Sequence, residues 1–333
     1  MGSELVIYKN NMIAKLKSQY NTNKIALDNQ LNTFINSVLK SNNTAKNKST
    51  QVYALIATYN SQVSSLLKKL QEAINKVNSF QPKTITNIKK RSALLIGCNY
   101  RGTMNELYGC INDTKNIKTL LQSHGFSIFN VLTDDTVVKP NKANILNEFK
   151  NLLVNSNSGD LLFFFYSGHG SNTLDNNNDE LDGRDELIVP LDLNRIVDDE
   201  LKSIINLYLK ENVTLVALFD SCFSGSVLDL KYQYIDSLNN NGYTENTKTN
   251  DTLGNVIMIS GCTDKQTSED AYINKTAQGA MTYSFIQSVN TNSNISWREL
   301  VLKMREVLKK NGCSQLPQLS SGQIFDMDSK IFV

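Results

Sequence analysis

The stretch Leu215-Val216-Ala217-Leu218-Phe219-Asp220-Ser221-Cys222-Phe223-Ser224-Gly225 decides the fold. An apolar run from Val213 to Phe219 stops at Asp220, and a cysteine follows two residues later at the head of a small-residue turn. A second run, Leu161 to Tyr166, ends the same way in Ser167-Gly168-His169-Gly170. Short apolar runs of this kind read as buried parallel strands, and chemistry in open α/β sheets gathers beyond the carboxyl ends of such strands. Two strands thus deliver His169 and Cys222 to what reads as one edge. His124 is the other histidine of the chain; its place before Gly125 suits a helix terminus.

Outward from these strands, apolar runs alternate with helical stretches from Ser92 onward. Strands are expected at 93–97, 127–132, 161–166, 187–189, 213–219 and 256–260, with a last one near 316–325. Helices are expected at 113–123, 141–154, 198–210, 279–290 and 296–310. This β-α alternation predicts an α/β fold, a mostly parallel sheet flanked by helices on both faces. Residues 232–252, polar and rich in Asn and Thr, read as a mobile loop.

Residues 1–80 differ in kind. Ile13, Tyr20, Leu27 and Phe34 fall seven apart, with Leu31 and Val38 on the neighbouring row. After a polar stretch at 41–50, Val52, Ile56, Tyr59, Val63, Leu66, Leu70, Ala73 and Val77 alternate steps of four and three. That a/d pattern predicts two long helices in an antiparallel hairpin preceding the sheet domain, a structure that packs on itself or serves self-association or partner docking. Residues 81–91, with Pro82 and the run Lys89-Lys90-Arg91, form the linker.

Composition excludes several function classes. A net charge of +2 with scattered Lys and Arg gives no field for nucleic acid. No apolar stretch approaches the roughly 20 residues that span a bilayer, and the first ten residues, with Glu4 and Lys9, hold no signal-like apolar core. Five cysteines without Cys-x-x-Cys spacing argue against a zinc ribbon and a disulfide framework. A cytoplasmic protein is expected, with Cys98, Cys262 and Cys313 as packing residues.

A cysteine attacks as its thiolate, and a nearby imidazole both lowers the thiol pKa from about 8.5 and protonates the leaving amine. Taken singly, a Cys or a His is more often a packing or loop residue. His169 and Cys222, however, end two strong strands 53 residues apart. Tyr166-Ser167-Gly168-His169-Gly170 and Asp220-Ser221-Cys222-Phe223-Ser224-Gly225 resemble the two catalytic motifs of the metacaspases, caspase-fold cysteine peptidases. Further matches run in order through 93–100, 107–113, 196–200, 259–262 and 317–319. The resemblance covers about 91–327 and implies a caspase-like peptidase domain over 92–333. Its parts are a p20-like part (92–230), a mobile linker (231–252) and a p10-like part (253–333).

By that resemblance Cys222 is the nucleophile, His169 the general acid/base, and the backbone N–H groups of Gly170 and Cys222 the oxyanion hole. An acidic S1 pocket for P1 Arg or Lys carries over as Cys110, Asp113, Ser167 and Asp220. A carboxylate two residues from the nucleophile raises the energy of a thiolate unless it faces a cation, and a substrate Arg or Lys supplies one. The competing reading makes Asp113 the cap of a helix beginning there and Asp220 the cap of a turn.

Asp175 to Glu186 nearly matches an EF-hand loop but has Glu180 where the loop needs Gly. The resemblance instead implies an activating Ca²⁺ on Asp185, Asp198, Asp199 and Asp229, whose hard oxygens suit that ion. Asp198 and Asp199 equally fit the negatively charged start of a helix. A P1 Lys/Arg preference makes Lys231, Lys248, Lys89, Lys90 and Arg91 candidate self-cleavage sites. Two departures stand out: Phe223 follows the nucleophile where the family usually has His, and the N-terminal region is neither Pro-rich nor zinc-binding. The alternative function is a catalytically weak or silent homologue acting as a scaffold through its N-terminal helices, and a peptidase-fold ligase is a second.

Overall fold

The computed structural model describes residues 2–79, 88–174, 183–222, 225, 227–234, 243–261, 270–273 and 276–332. The chain divides into two units, an N-terminal one and a larger one that follows it.

The N-terminal unit pairs α1 (Gly2–Lys40) with α2 (Ala45–Ser79). Cross-helix bonds fix their antiparallel sense: Lys9 Nζ donates to the Asn78 carbonyl, Tyr59 Oη to Asp28, and Lys48 Nζ to the Leu39 carbonyl. The turn is shorter than the polar stretch suggests, because Thr44 Oγ1 accepts the Asn47 N–H and so caps a helix that starts six residues early. The seam also departs from the strict heptad: Phe34 is exposed and Ile35 faces inward instead. A straight α-helix drifts by about 20° per heptad, which rotates the seven-residue series off the seam along its length.

In the larger unit come β1 (Arg91–Gly97), α3 (Cys110–Ser123), β2 (Ile128–Thr133), α4 (Lys142–Val154) and β3 (Leu161–Ser167). A small antiparallel sheet follows, β4 (Gly170–Leu174), β5 (Arg184–Ile188) and β6 (Ile196–Val197), then α5 (Asp198–Tyr208) and β7 (Thr214–Asp220). After these stand β8 (Tyr232–Gln233), β9 (Thr244–Glu245), β10 (Asn255–Ser260), the hairpin β11 (Asp270–Ile273) and β12 (Thr276–Gly279), α6 (Ala280–Thr291), α7 (Trp297–Lys310) and β13 (Gln318–Ser321).

The main sheet runs β2-β1-β3-β7-β10-β13-β8-β9, parallel from β2 to β10 and antiparallel beyond. Strands that read as continuous apolar runs sort their residues by the period of two. Leu95, Phe163, Phe165, Val216 and Leu218 pack with α3, α6 and α7, whereas Leu94, Phe164, Tyr166, Leu215 and Ala217 pack with α4 and α5. Burying one such Leu or Phe is worth about 1.5–3 kcal/mol, so the central strands contribute a large share of the unit's stability.

Three sequence expectations change. First, α3 begins at Cys110, one turn before Asp113, so Asp113 is not its cap. Second, residues 232–234 and 244–245 pair at the sheet edge, with Tyr232 and Tyr234 fully buried, where a loop was expected. These two-residue strands are too short to show a periodic pattern. Third, β4 and β6 were not legible, since both are short and β4 reads Gly-Ser-Asn-Thr-Leu. Residues 235–242 of the expected loop lie outside the described residues, as do Pro82, Cys262, Phe223 and most of the acidic stretch, 175–182.

Candidate active site

The site is built by the register of β3 and β7. These neighbouring parallel strands pair Ser167 with Asp220 at their carboxyl ends. His169 and Cys222 each stand two residues beyond that pair, on turns running side by side. The Gly168 N–H donates to the Asp220 carbonyl (3.3 Å), and a Cβ on Gly170 would overlap the Cys222 carbonyl oxygen. Glycine at 170 is therefore a requirement of close approach. Cys222 is half-buried and outside any disulfide. His169 Nε2 lies 2.8 Å from the Asn105 carbonyl oxygen. A carbonyl only accepts, so Nε2 carries the proton and Nδ1 is left as the basic nitrogen.

Asp113 and Asp220 are both buried, and they sit together with Ser167 and Cys110 behind this edge. Asp113 accepts from Ser167 Oγ (3.0 Å) and from the Gly279 N–H. Asp220 Oδ2 accepts from the N–H and Oγ1 of Thr282, both at 2.8 Å. A Cβ on Gly279 would collide with the Asp220 carboxylate and crowd Asp113. Asp220 thus caps α6, whose own N-cap residue Gly279 has no side chain to do so. Burial and the neighbouring Asp113 push the Cys110 thiol well up, so it stays a neutral wall of the pocket.

A second acidic cluster lies where β5 meets α5. One carboxylate oxygen from each of Asp185, Asp198 and Asp199 falls within 4.8 Å of the others. Asp198 is buried and accepts the N–H groups of Glu186 (2.6 Å) and Asp199 (2.8 Å). Desolvation, with Asp229 nearby, raises its pKa to about 9. Asp229, in the left-handed region at φ 46°, holds Lys202 Nζ at 3.4 Å. Negative charge concentrated this far from water fits a divalent cation with hard oxygen ligands.

The family model for the metacaspase peptidase C14 domain matches residues 90–231. Metacaspase-1 of Schizosaccharomyces pombe is 36% identical over 304 residues, 75% of this chain and 71% of its own length. Metacaspase-1A of Neurospora crassa is 37% identical over 292 residues, 72% of this chain, which spans 64% of that relative's length. The chain is a metacaspase. A crystal structure of protein GSU0716 from Geobacter sulfurreducens superposes with a TM-score of 0.56 at 23% identity, over 73% of this chain and 98% of that one, and shows the shared fold.

In this metacaspase the matched segment holds His169, Cys222 and both acidic clusters. It leaves out Gly279 and Thr282, the partners that close over Asp113 and Asp220 from 166 and 62 residues away. Neither carries a local sequence signal of that role, and Asn105 acts through its backbone, which no sequence reading identifies.

The candidate cleavage sites differ in setting. Lys231 is ion-paired with Glu245 (3.4 Å) and Asp251 (3.2 Å) and leads directly into β8. Lys248 is exposed. Lys89 and Lys90 are tied to the sheet edge by backbone bonds to Gly159 and Leu161, and Arg91 is the first residue of β1. His124 closes α3 with Nδ1 2.9 Å from the Leu120 carbonyl, and Cys98 is buried. Among the described residues, no helix is long and apolar enough to cross a membrane.

Proposed function

We propose that this metacaspase is a Ca²⁺-activated cysteine endopeptidase that cleaves after Arg or Lys through a Cys222–His169 dyad. The observation that carries the reading is the Ser167–Asp220 register, which brings His169, Cys222 and the buried Asp220 to one strand edge, where Ser167 also bonds the buried Asp113 of α3. His169 Nδ1 takes the Cys222 proton, and the thiolate attacks the scissile carbonyl carbon. The backbone N–H groups of Gly170 and Cys222 receive the oxyanion. As the tetrahedral intermediate collapses to a thioester, the imidazolium returns its proton to the leaving amine. His169 then deprotonates water, which hydrolyses the thioester and frees the thiol.

Asp113 and Asp220 select the P1 cation, and a guanidinium or ammonium entering beside them adds an ion pair to the hydrogen bonds these carboxylates already accept. Asp185, Asp198, Asp199 and Asp229 would hold Ca²⁺, whose charge would add to that of Lys202 beside Asp229. Self-processing, on the same reading, falls after Lys248, because a scissile bond has to be reachable in extended form and Lys231 is engaged on both sides. A cytoplasmic setting and partner docking through the helical hairpin complete the reading.

A P1-Arg halomethyl ketone tests it, with the modified peptide found by mass spectrometry. Labelling of Cys222 that requires Ca²⁺ and outpaces the matched P1-Asp reagent is the expected result. Labelling of another cysteine, or a preference for P1-Asp, overturns it.

A further inference from the structure

His169 lies on the short link between β3 and β4 with a glycine on either side, so neither its neighbours nor a regular element restrains it. Its backbone is nevertheless bonded at both polar groups. The His169 N–H donates to Tyr100 Oη at 2.9 Å. Its carbonyl accepts from Tyr166 Oη at 2.9 Å and from the Val189 N–H at 3.0 Å. The two hydroxyls are 3.2 Å apart, and both also reach the Val189 carbonyl.

Each hydroxyl has one proton to give. With Tyr100 donating to Tyr166 and Tyr166 to His169, the bonds close into a ring that starts at the His169 N–H and ends at the His169 carbonyl. With Tyr100 donating to Val189 instead, the N–H of His169 still has Tyr100 Oη as its acceptor. The Tyr100 ring also packs on the imidazole, with centroids 4.8 Å apart.

Three further observations agree. Tyr100 is fully buried at φ 53°, a conformation a bulky residue keeps only when its surroundings fix it. A Cβ on Gly168 would fall 2.7 Å from Tyr166 Oη and 2.9 Å from Tyr100 Oη, so the hydroxyls run directly against the link backbone. Burial pushes both phenols well up, so they remain O–H donors at any working pH.

We propose that Tyr100 and Tyr166 are positioning residues for His169, clamping its backbone and ring so that the imidazole meets the Cys222 thiol. The proposal rests on the dyad reading above. Tyr100 carries the larger share, since the His169 carbonyl retains the Val189 N–H when Tyr166 loses its hydroxyl.

The test compares Tyr100→Phe and Tyr166→Phe, which remove one oxygen each and keep the rings. In Tyr100→Phe, kcat is expected to fall roughly 10²-fold, as for an ångström-scale misplacement, with KM within about twofold. The pH profile of iodoacetamide modification of the Cys222 peptide should move toward that of an ordinary thiol, near 8.5. Tyr166→Phe should show the same shifts, smaller. Loss of fold stability alone does not move that profile. An unchanged profile and kcat in a folded Tyr100→Phe protein, or a larger effect from Tyr166→Phe, overturns the proposal. His169→Ala is the control for the underlying reading: if it leaves the Cys222 profile unchanged, the dyad itself is wrong, whatever the tyrosine variants do.

Discussion

Asp198 keeps its proton to about pH 9 because it is desolvated and faces Asp229. An unfolded Asp titrates near 3.9. The folded value is the raised one, so the stability contributed by this group is fully present below about pH 4 and is lost as pH climbs through about 9. Asp198→Asn should therefore flatten the decline of Tm between about pH 5 and 9 in metal-free protein, measured by calorimetry. A cation bound at this carboxylate displaces the proton. Calcium affinity should tighten as pH rises toward 9, with proton release detectable by titration calorimetry in buffers of different ionisation enthalpy. Equal affinity at pH 6 and pH 8.5 contradicts the assignment of Asp198 as a ligand.

On the proposed reading Asp220 holds the P1 cation as well as the α6 N-terminus, and substitutions separate the two. Asp220→Asn keeps an oxygen for Thr282 but removes the charge, so P1-Arg turnover should fall about 10²-fold or more while Tm changes little. Asp220→Ala also uncaps α6, adding a stability loss of about 0.5–2 kcal/mol that chemical denaturation reads directly.

At the scale of elements, the strand ends that carry His169 and Cys222 were legible because each follows a seven-residue buried strand, and strand periodicity is a local signal. What closes the site was not legible. The Gly279 N–H and the α6 N-terminus reach Asp113 and Asp220 only through the tertiary fold, and the start of α3 was misjudged by one turn because Gly109 gives no side-chain cap. β8 and β9 were missed because each is two residues long, β9 is exposed, and the burial of β8 comes from the neighbouring sheet edge. Gly170 shows how tightly the elements meet. Gly170→Ala should drive the His169 and Cys222 turns apart and lower kcat about 10²-fold, read by single-turnover kinetics. β5 adds a mechanical link, for it carries Asp185 of the acidic cluster and runs out at Val189, whose N–H holds the His169 carbonyl.

At the scale of the whole molecule, the two units carry different kinds of information. The hairpin was readable from its heptads, because a narrow apolar stripe has to be buried on a second one, and its antiparallel sense from the short polar join; the departure at Phe34 was not. Its seam is marked by the Lys24–Asp28–Tyr59 cluster, in which Tyr59 and Lys24 both bond Asp28. Every contact assigned to the dyad, the acidic pocket and the metal cluster comes from residues 88–332. Tyr59→Phe, which loosens the hairpin by about 1 kcal/mol in thermal melts, should accordingly leave kcat/KM within about twofold.

The most direct test of the account is hydrolysis of matched P1-Arg, P1-Lys and P1-Asp fluorogenic peptides across a Ca²⁺ titration, with Cys222→Ala as control. Calcium-dependent cleavage of the Arg and Lys peptides, abolished by Cys222→Ala, is the predicted result. Cleavage of the Asp peptide, or turnover that survives Cys222→Ala, would contradict it.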